Sequence, residues 1–212
     1  MRRPRSLKIK VQTGNRQGEA TTLVELGTLY AWMRRPEDAV RFYRQAAEVF
    51  QSIGDLRTEG FARSNAASQL VSLRRYDEAR RELQRAFECK KPFGHAAEPW
   101  TTFYVLGNLE RATGNTAAAA EAHRQAIQAY LAYRRDGGEN LFGYAELYSR
   151  VRQALQTGDA AALAAKLPSL PDNALAAALT ALLAGSRDSG LAEDPNLRFD
   201  HAAEILLLLE SL

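Results

Sequence analysis

Small residues return every forty positions along this chain, and few folds accommodate that. Gly27, Ala67 and Gly107 are spaced by forty, as are Ala39, Ala79 and Ala119, and Ala46, Ala86 and Ala126. Gly14, Gly54 and Gly94 keep the same spacing. Self-similarity at a fixed period of this size marks a stack of supersecondary units, each unable to bury its apolar face alone. A small residue inside a helix marks a point where another helix comes close. Gly there costs about 1 kcal/mol relative to Ala, which tight packing can offset.

Each unit reads as a helix, a short turn and a second helix. The first helices span Ala20 to Met33, Thr58 to Leu73 and Pro99 to Thr113. Leu23, Leu26, Gly27 and Tyr30 share one face at helical spacing. The turns are Arg35-Pro36, Arg75-Tyr76 and Gly114-Asn115. The second helices span Glu37 to Ser52, Asp77 to Lys91 and Thr116 to Arg134. Pro36 suits a first helical turn, and Glu37-Asp38 and Asp77-Glu78 put acids where the helix dipole favours them. Gly54 and Gly94 fall where a left-handed residue ends the second helix.

The order large, Leu-Gly, aromatic, Ala, aromatic, Ala runs through Leu23, Leu26-Gly27, Tyr30, Ala39, Tyr43 and Ala46. It resembles the tetratricopeptide repeat. The second unit keeps Ala79, Leu83 and Ala86, with Ala66-Ala67 in place of Leu-Gly. The third keeps Leu106-Gly107, Ala119 and Ala126, with His123 at the aromatic site and Glu110 in place of Tyr30. The usual period of that repeat is about 34 residues. The longer form here, with Gly-Asn or Gly-Asp between units, looks like the Pins/LGN and kinesin-light-chain class. Gly14-Asn15 through Ala20 and Gly54-Asp55 through Gly60 carry that likeness. The resemblance implies an all-α fold, a right-handed α-α superhelix closed by C-terminal capping helices.

The expected organisation is an incomplete repeat over 1–14, a repeat array over 15–167 and a helical cap over 168–212. The units lie near 20–53, 60–93, 100–135 and, degenerate, 140–167. In the last, Leu141 to Gln156 is the expected first helix and Ala160 to Leu167 a shortened second. Helices over Asp172 to Ala184 and Phe199 to Leu212 follow, separated by a polar loop from Gly185 to Asn196. The final helix runs Ile205-Leu206-Leu207-Leu208-Leu209, apolar on all sides, and so needs burial or a dimer contact. Leu7 to Gly14 aligns forty residues ahead of Ala47 to Gly54, so the array starts in mid-repeat. The expectation is a piece of a longer array.

No chemical signature emerges. The chain has no Gly-Lys-Ser/Thr phosphate loop and no Gly-x-Ser-x-Gly elbow. His95, His123 and His201 lie far apart, and none sits at metal-ligand spacing from another or from Cys89. Cys89 falls at an apolar helix position and reads as an inert packed thiol. One cysteine permits no internal disulfide. No catalytic residue, metal site or cofactor is expected, and the chain is read as non-enzymatic. Net charge is +3, and the Arg pairs alternate with acids rather than forming one basic face, so nucleic acid is not an expected partner. No apolar run approaches a membrane span, so no membrane association and a cytoplasmic location are expected.

The resemblance implies a concave groove lined by the first helices, holding a peptide or partner segment. Its positions fall on Thr21, Val24, Glu25 and Thr28, then Phe61, Ser64, Asn65 and Ser68, then Tyr104, Asn108 and Arg111, and last Tyr148. Side-chain amides such as Asn65 and Asn108 can both donate to and accept from a ligand backbone. The Arg that the Pins/LGN class carries at the groove's first position is absent here. The expected activity is therefore protein-protein scaffolding with an unnamed ligand. A regulatory part of a longer signalling protein, with an NTPase or protease effector upstream, is the alternative. Self-association into a homodimer through the unfinished ends is the third.

Overall fold

The computed structural model describes residues 15–212, so the partial repeat expected over 1–14 lies outside the described residues. Every regular element among them is helical. Contacts divide the chain into two compact units, one ending at His123 and the other running from Arg124 to Leu212.

The first unit is a stack of helical hairpins. Helices α1 (Arg16–Trp32) and α2 (Pro36–Ser52) form the first, α3 (Leu56–Ser72) and α4 (Tyr76–Lys90) the second. Helix α5 (Pro99–Ala112) and the start of α6 (Thr116–Arg135) form the third. Helices α1 to α5 pack each on the next, and α3 also packs on α5. Side-chain oxygens start the helices: Asn15 accepts from the Gly18 N–H at 2.8 Å, and Asp55 from the Thr58 N–H at 3.0 Å. The third unit has His95 at that position. Pro92, which lacks an N–H, ends α4 early, and a 3₁₀ segment (Lys91–Ala97) intervenes before Pro99 opens α5. Gly54 is left-handed as the caps require (φ +75°), whereas Gly94 (φ +53°) sits in a kink inside the 3₁₀ segment.

The recurring small residues lie where helices touch. A Cβ built on Gly27 would stand 2.7 Å from the Tyr43 ring, so that glycine is a contact surface for the aromatic face. Helix α3 lends Ala62 and Ala66 to the core of the first hairpin, and α5 lends Val105 and Leu109 to that of the second. Neither of the first two hairpins closes its own core, which is why the units stack. A chain of ion pairs ties α2, α3 and α4 together. Arg44 meets Glu78 and Glu82, Arg63 meets Glu82 and Glu59, and Arg85 meets Glu59, all between 2.7 and 3.1 Å.

The second unit holds the rest of α6, then α7 (Ala145–Thr157), α8 (Ala161–Ala164), α9 (Asn173–Leu183) and α10 (Phe199–Glu210). Helix α7 starts four residues later than the sequence suggested, with Leu141 in irregular chain. The expected helix after Gly158 shrinks to α8, followed by a 3₁₀ turn (Leu167–Ser169), because Pro168 blocks its continuation. The polar loop after Gly185 includes a further 3₁₀ turn (Ser189–Ala192). Helix α9 packs against α7, α8 and α10, and α10 also against α7. The apolar run of α10 is satisfied within this unit: Ile205 and Leu208 are buried, and Leu206, Leu207 and Leu209 are half-buried.

Candidate functional site

The accessible side of the first unit is set by what the helices bury. Helix α1 buries Ala20, Leu23 and Gly27, and α3 buries Ala62, Ala66, Ala67 and Leu70. What remains accessible on each first helix is a stripe at helical spacing that repeats with the forty-residue period. On α1, Thr21 and Glu25 are exposed and Val24 and Thr28 half-buried. On α3, Asn65 is exposed and Phe61 and Ser68 are half-buried. On α5, Tyr104 and Arg111 are exposed and Thr101 and Asn108 half-buried.

Several of these side chains are held in place. Thr28 Oγ1 lies 3.1 Å from Tyr43 Oη. Arg111 donates to the Asn108 side-chain oxygen at 2.9 Å, leaving the amide N–H group of Asn108 free of that contact. Tyr104 stands 45% exposed. Two candidates are differently engaged. Ser64 is buried; its hydroxyl donates to the Gly60 carbonyl and lies 2.8 Å from Thr102 Oγ1, joining α3 to α5. Tyr148 is buried in the second unit, where its hydroxyl lies 2.7 Å from His201 Nδ1. The 3.6-residue period places a residue on a face but does not say how deep a neighbouring helix sits over it.

Sequence reasoning passed over two features of this surface. Trp32 is 82% exposed, with Leu29 and Met33 beside it at the end of α1. Their spacing of three and four residues, outside the repeat's core positions, was the available signal. Lys90 was also missed. It stands forty residues after Phe50 and fills the same buried place, only 2% exposed. Its ammonium lies 4.1 Å from the Phe61 ring centroid and donates to Thr101 Oγ1 at 3.1 Å and to the Glu98 carbonyl at 3.5 Å. None of these acceptors is a carboxylate. Burial pushes its pKa down to about 8, against a smaller opposing pull from Glu98.

The titratable side chains Cys89, Glu59 and His123 sit in packed surroundings. Burial, reinforced by Glu59, pushes the Cys89 thiol up to about 11, so it stays protonated and a poor nucleophile. Burial of Glu59 opposes its ionisation, but Arg63 and Arg85 outweigh that and hold it below the usual carboxylate range. His123 is half-buried, and its Nε2 has no hydrogen-bond partner among the described residues. Burial, aided by Arg111, keeps it neutral to lower pH than a free histidine. The described residues contain no group of three or more His, Cys, Asp or Glu arranged to hold a metal. No helix among them is long and apolar enough to cross a membrane.

Residues 18–91 match the family model described as Tetratricopeptide repeat, a stretch that coincides with the first two hairpins. That stretch carries tetratricopeptide repeats, and such repeats generally mediate protein-protein interaction. A comparison with curated proteins finds no match.

Proposed function

We propose that the protein is a non-enzymatic scaffold that holds a peptide or partner segment along the accessible stripe of α1, α3 and α5. The observation that carries this reading is the recurrence of that stripe. Thr21, Phe61 and Thr101 stand at one level, Glu25 and Asn65 at the next, and Thr28, Ser68 and Asn108 beyond it, all accessible and on successive first helices. A ligand lying across the helices would meet equivalent positions in register. Asn65 and Asn108 can serve both polar directions of its backbone. Phe61 and Tyr104 offer apolar area with a low entropic cost of ordering. Val24, Glu25 and Arg111 complete a surface with both charge signs, which favours a partner of mixed charge. Ser64 and Tyr148 support the packing rather than the contact.

The test is a photo-crosslinking amino acid placed at position 65 or 104, with position 81 on α4 as the control, in the native cell. A partner captured from 65 and 104 but not from 81 fits the stripe. Equal capture from 81 moves the site to the other face. The triple change Asn65→Ala, Tyr104→Ala, Asn108→Ala should abolish that capture while shifting the melting temperature by no more than a few degrees.

A further inference from the structure

The second unit contains a histidine that the repeat architecture does not use. His201, on the first turn of α10, is 1% exposed. Its Nδ1 faces Tyr148 Oη at 2.7 Å and Asp200 Oδ2 at 3.5 Å. Its Nε2 has no hydrogen-bond partner among the described residues, and the nearest charged oxygen, Asp172 Oδ2, is 3.7 Å away. His201 is among the residues that line an open cleft of about 700 Å³. Tyr144, Asp172, Asp194 and Arg198 also line it. A buried ring nitrogen without a partner is costly, and such a group facing a polar cleft is a ready ligand-binding atom.

The charges of the cleft select the ligand. Asp172 caps α9 by accepting the Leu175 N–H at 2.9 Å, and Asp194 accepts from the Asn196 backbone and side chain. Among the described residues neither carboxylate forms an ion pair with an Arg or Lys. Arg198, the cation in the cleft, is spent on Asp200 through two contacts of 3.0 and 3.2 Å. The Arg198–Asp200 pair is neutral, so Asp172 and Asp194 leave the cleft two negative charges in excess. That excess repels anions, despite the helix N-terminus nearby. It attracts a cation that can also donate hydrogen bonds. The Tyr144 ring, edge-on to His201 at 4.7 Å between centroids, supplies an aromatic wall that a cation tolerates.

We propose that this cleft binds a primary alkylammonium group, which sits at one side of the His201–Asp172 pair and donates to both His201 Nε2 and Asp172. The two acceptors are 3.7 Å apart, close enough for one nitrogen to reach each at ordinary hydrogen-bond length. Binding selects the imidazole tautomer whose proton is on Nδ1, where Tyr148 Oη can accept it. Burial keeps His201 neutral below the usual histidine range, although Asp200 and Asp172 oppose this, so Nε2 has a free lone pair at neutral pH. The group can come from a lysine side chain of a partner or from a free small amine. The site is independent of the stripe on the first unit.

Nuclear magnetic resonance of the full chain, labelled with ¹⁵N in its histidines, tests this directly. Titration with butylammonium, and separately with Nα-acetyl-lysine methylamide, should move the His201 ring resonances saturably toward the Nδ1–H tautomer. The His95 and His123 signals should stay still. The Nε-acetylated lysine derivative and tetramethylammonium, which lack the ammonium N–H, should not act. Tighter binding of the lysine derivative points to a partner's lysine, and tighter binding of butylammonium to a free amine. Asp194→Asn and Asp172→Asn, which keep the local turn and the helix cap, should each weaken binding at least tenfold. A His201 spectrum that ignores both amines, or responds equally to the neutral derivative, overturns the proposal.

Discussion

The first and second hairpins fill the same positions with different side chains. At one level the first sets Gly27 against the Tyr43 ring, where the second has Ala67 and Leu83 in one cluster. The volume removed from one helix is returned by the other, so helix spacing survives the exchange. At another level the first buries Phe50 and the second buries Lys90. Here nothing balances the exchange: an apolar ring is replaced by a charge with only neutral acceptors and a π face around it. Volume can be traded between neighbours in a stack, but charge cannot, because desolvation falls on the group itself.

The strongest way to break this comparison is Gly27→Leu. The Tyr43 ring is buried and its hydroxyl is held by Thr28, so it cannot move aside. The change should cost about 3 kcal/mol or more in chemical denaturation, the upper end of overpacking. Gly27→Ala should cost about 1–3 kcal/mol. Tyr43→Leu added to Gly27→Ala recreates the pair of the second hairpin and should recover most of that loss. Additive penalties in the double-mutant cycle would show that the two positions do not trade volume.

Lys90→Met tests the unbalanced exchange. It keeps the stem that packs on Gly60 and removes the charge over the Phe61 ring, and should stabilise the protein by on the order of 1–2 kcal/mol at pH 7. The pH dependence carries the sign. The folded pKa is about 8, below the unfolded value near 10.4, so the unfolded chain binds more protons between them. Wild-type stability should therefore gain from this residue as pH rises from about 8 to 10.4, a slope that Lys90→Met removes. An unchanged slope in urea midpoints measured across that window would show that the ammonium is not buried in solution.

The third hairpin sharpens the same point. Gly107 sits opposite His123, but a Cβ there would meet its nearest neighbour, the Ala119 carbonyl, at an ordinary 3.6 Å. Gly107→Ala should stabilise by about 0.5–1 kcal/mol, opposite in sign to Gly27→Ala. The smallest effect is expected in the turns. Arg34 and Arg74 hold φ of +53° and +59° where the third turn has Gly114 at +82°. Arg74→Gly relieves that strain and should raise stability by up to about 1 kcal/mol, read as a small rise in thermal midpoint.

Much of the first unit was legible in the sequence. Helix order, the turn positions and the packing role of Gly27, Ala39 and Ala46 follow from period and residue size. Asn15 and Asp55 cap the first helices through geometry local to three residues, yet the sequence reading began those helices later, at Ala20 and Thr58. The candidate stripe was legible as a set of faces, but not as a set of depths. Ser64 carries a stripe position, and Val105 falls one period after Asn65, yet both are buried because α3 and α5 approach closely there. Trp32, at an equivalent helical angle, stands open.

The sequence by itself determined what recurs: the helices, their caps and the small residues that let them touch, because these depend on neighbours a few positions away or one period apart. Tertiary structure alone decided the burial of Lys90 and the meeting of His201 with Tyr148 and Asp172. Those last residues belong to three different segments with no shared period. Nothing local records their approach, since it is set by how α7, α9 and α10 pack around a common core.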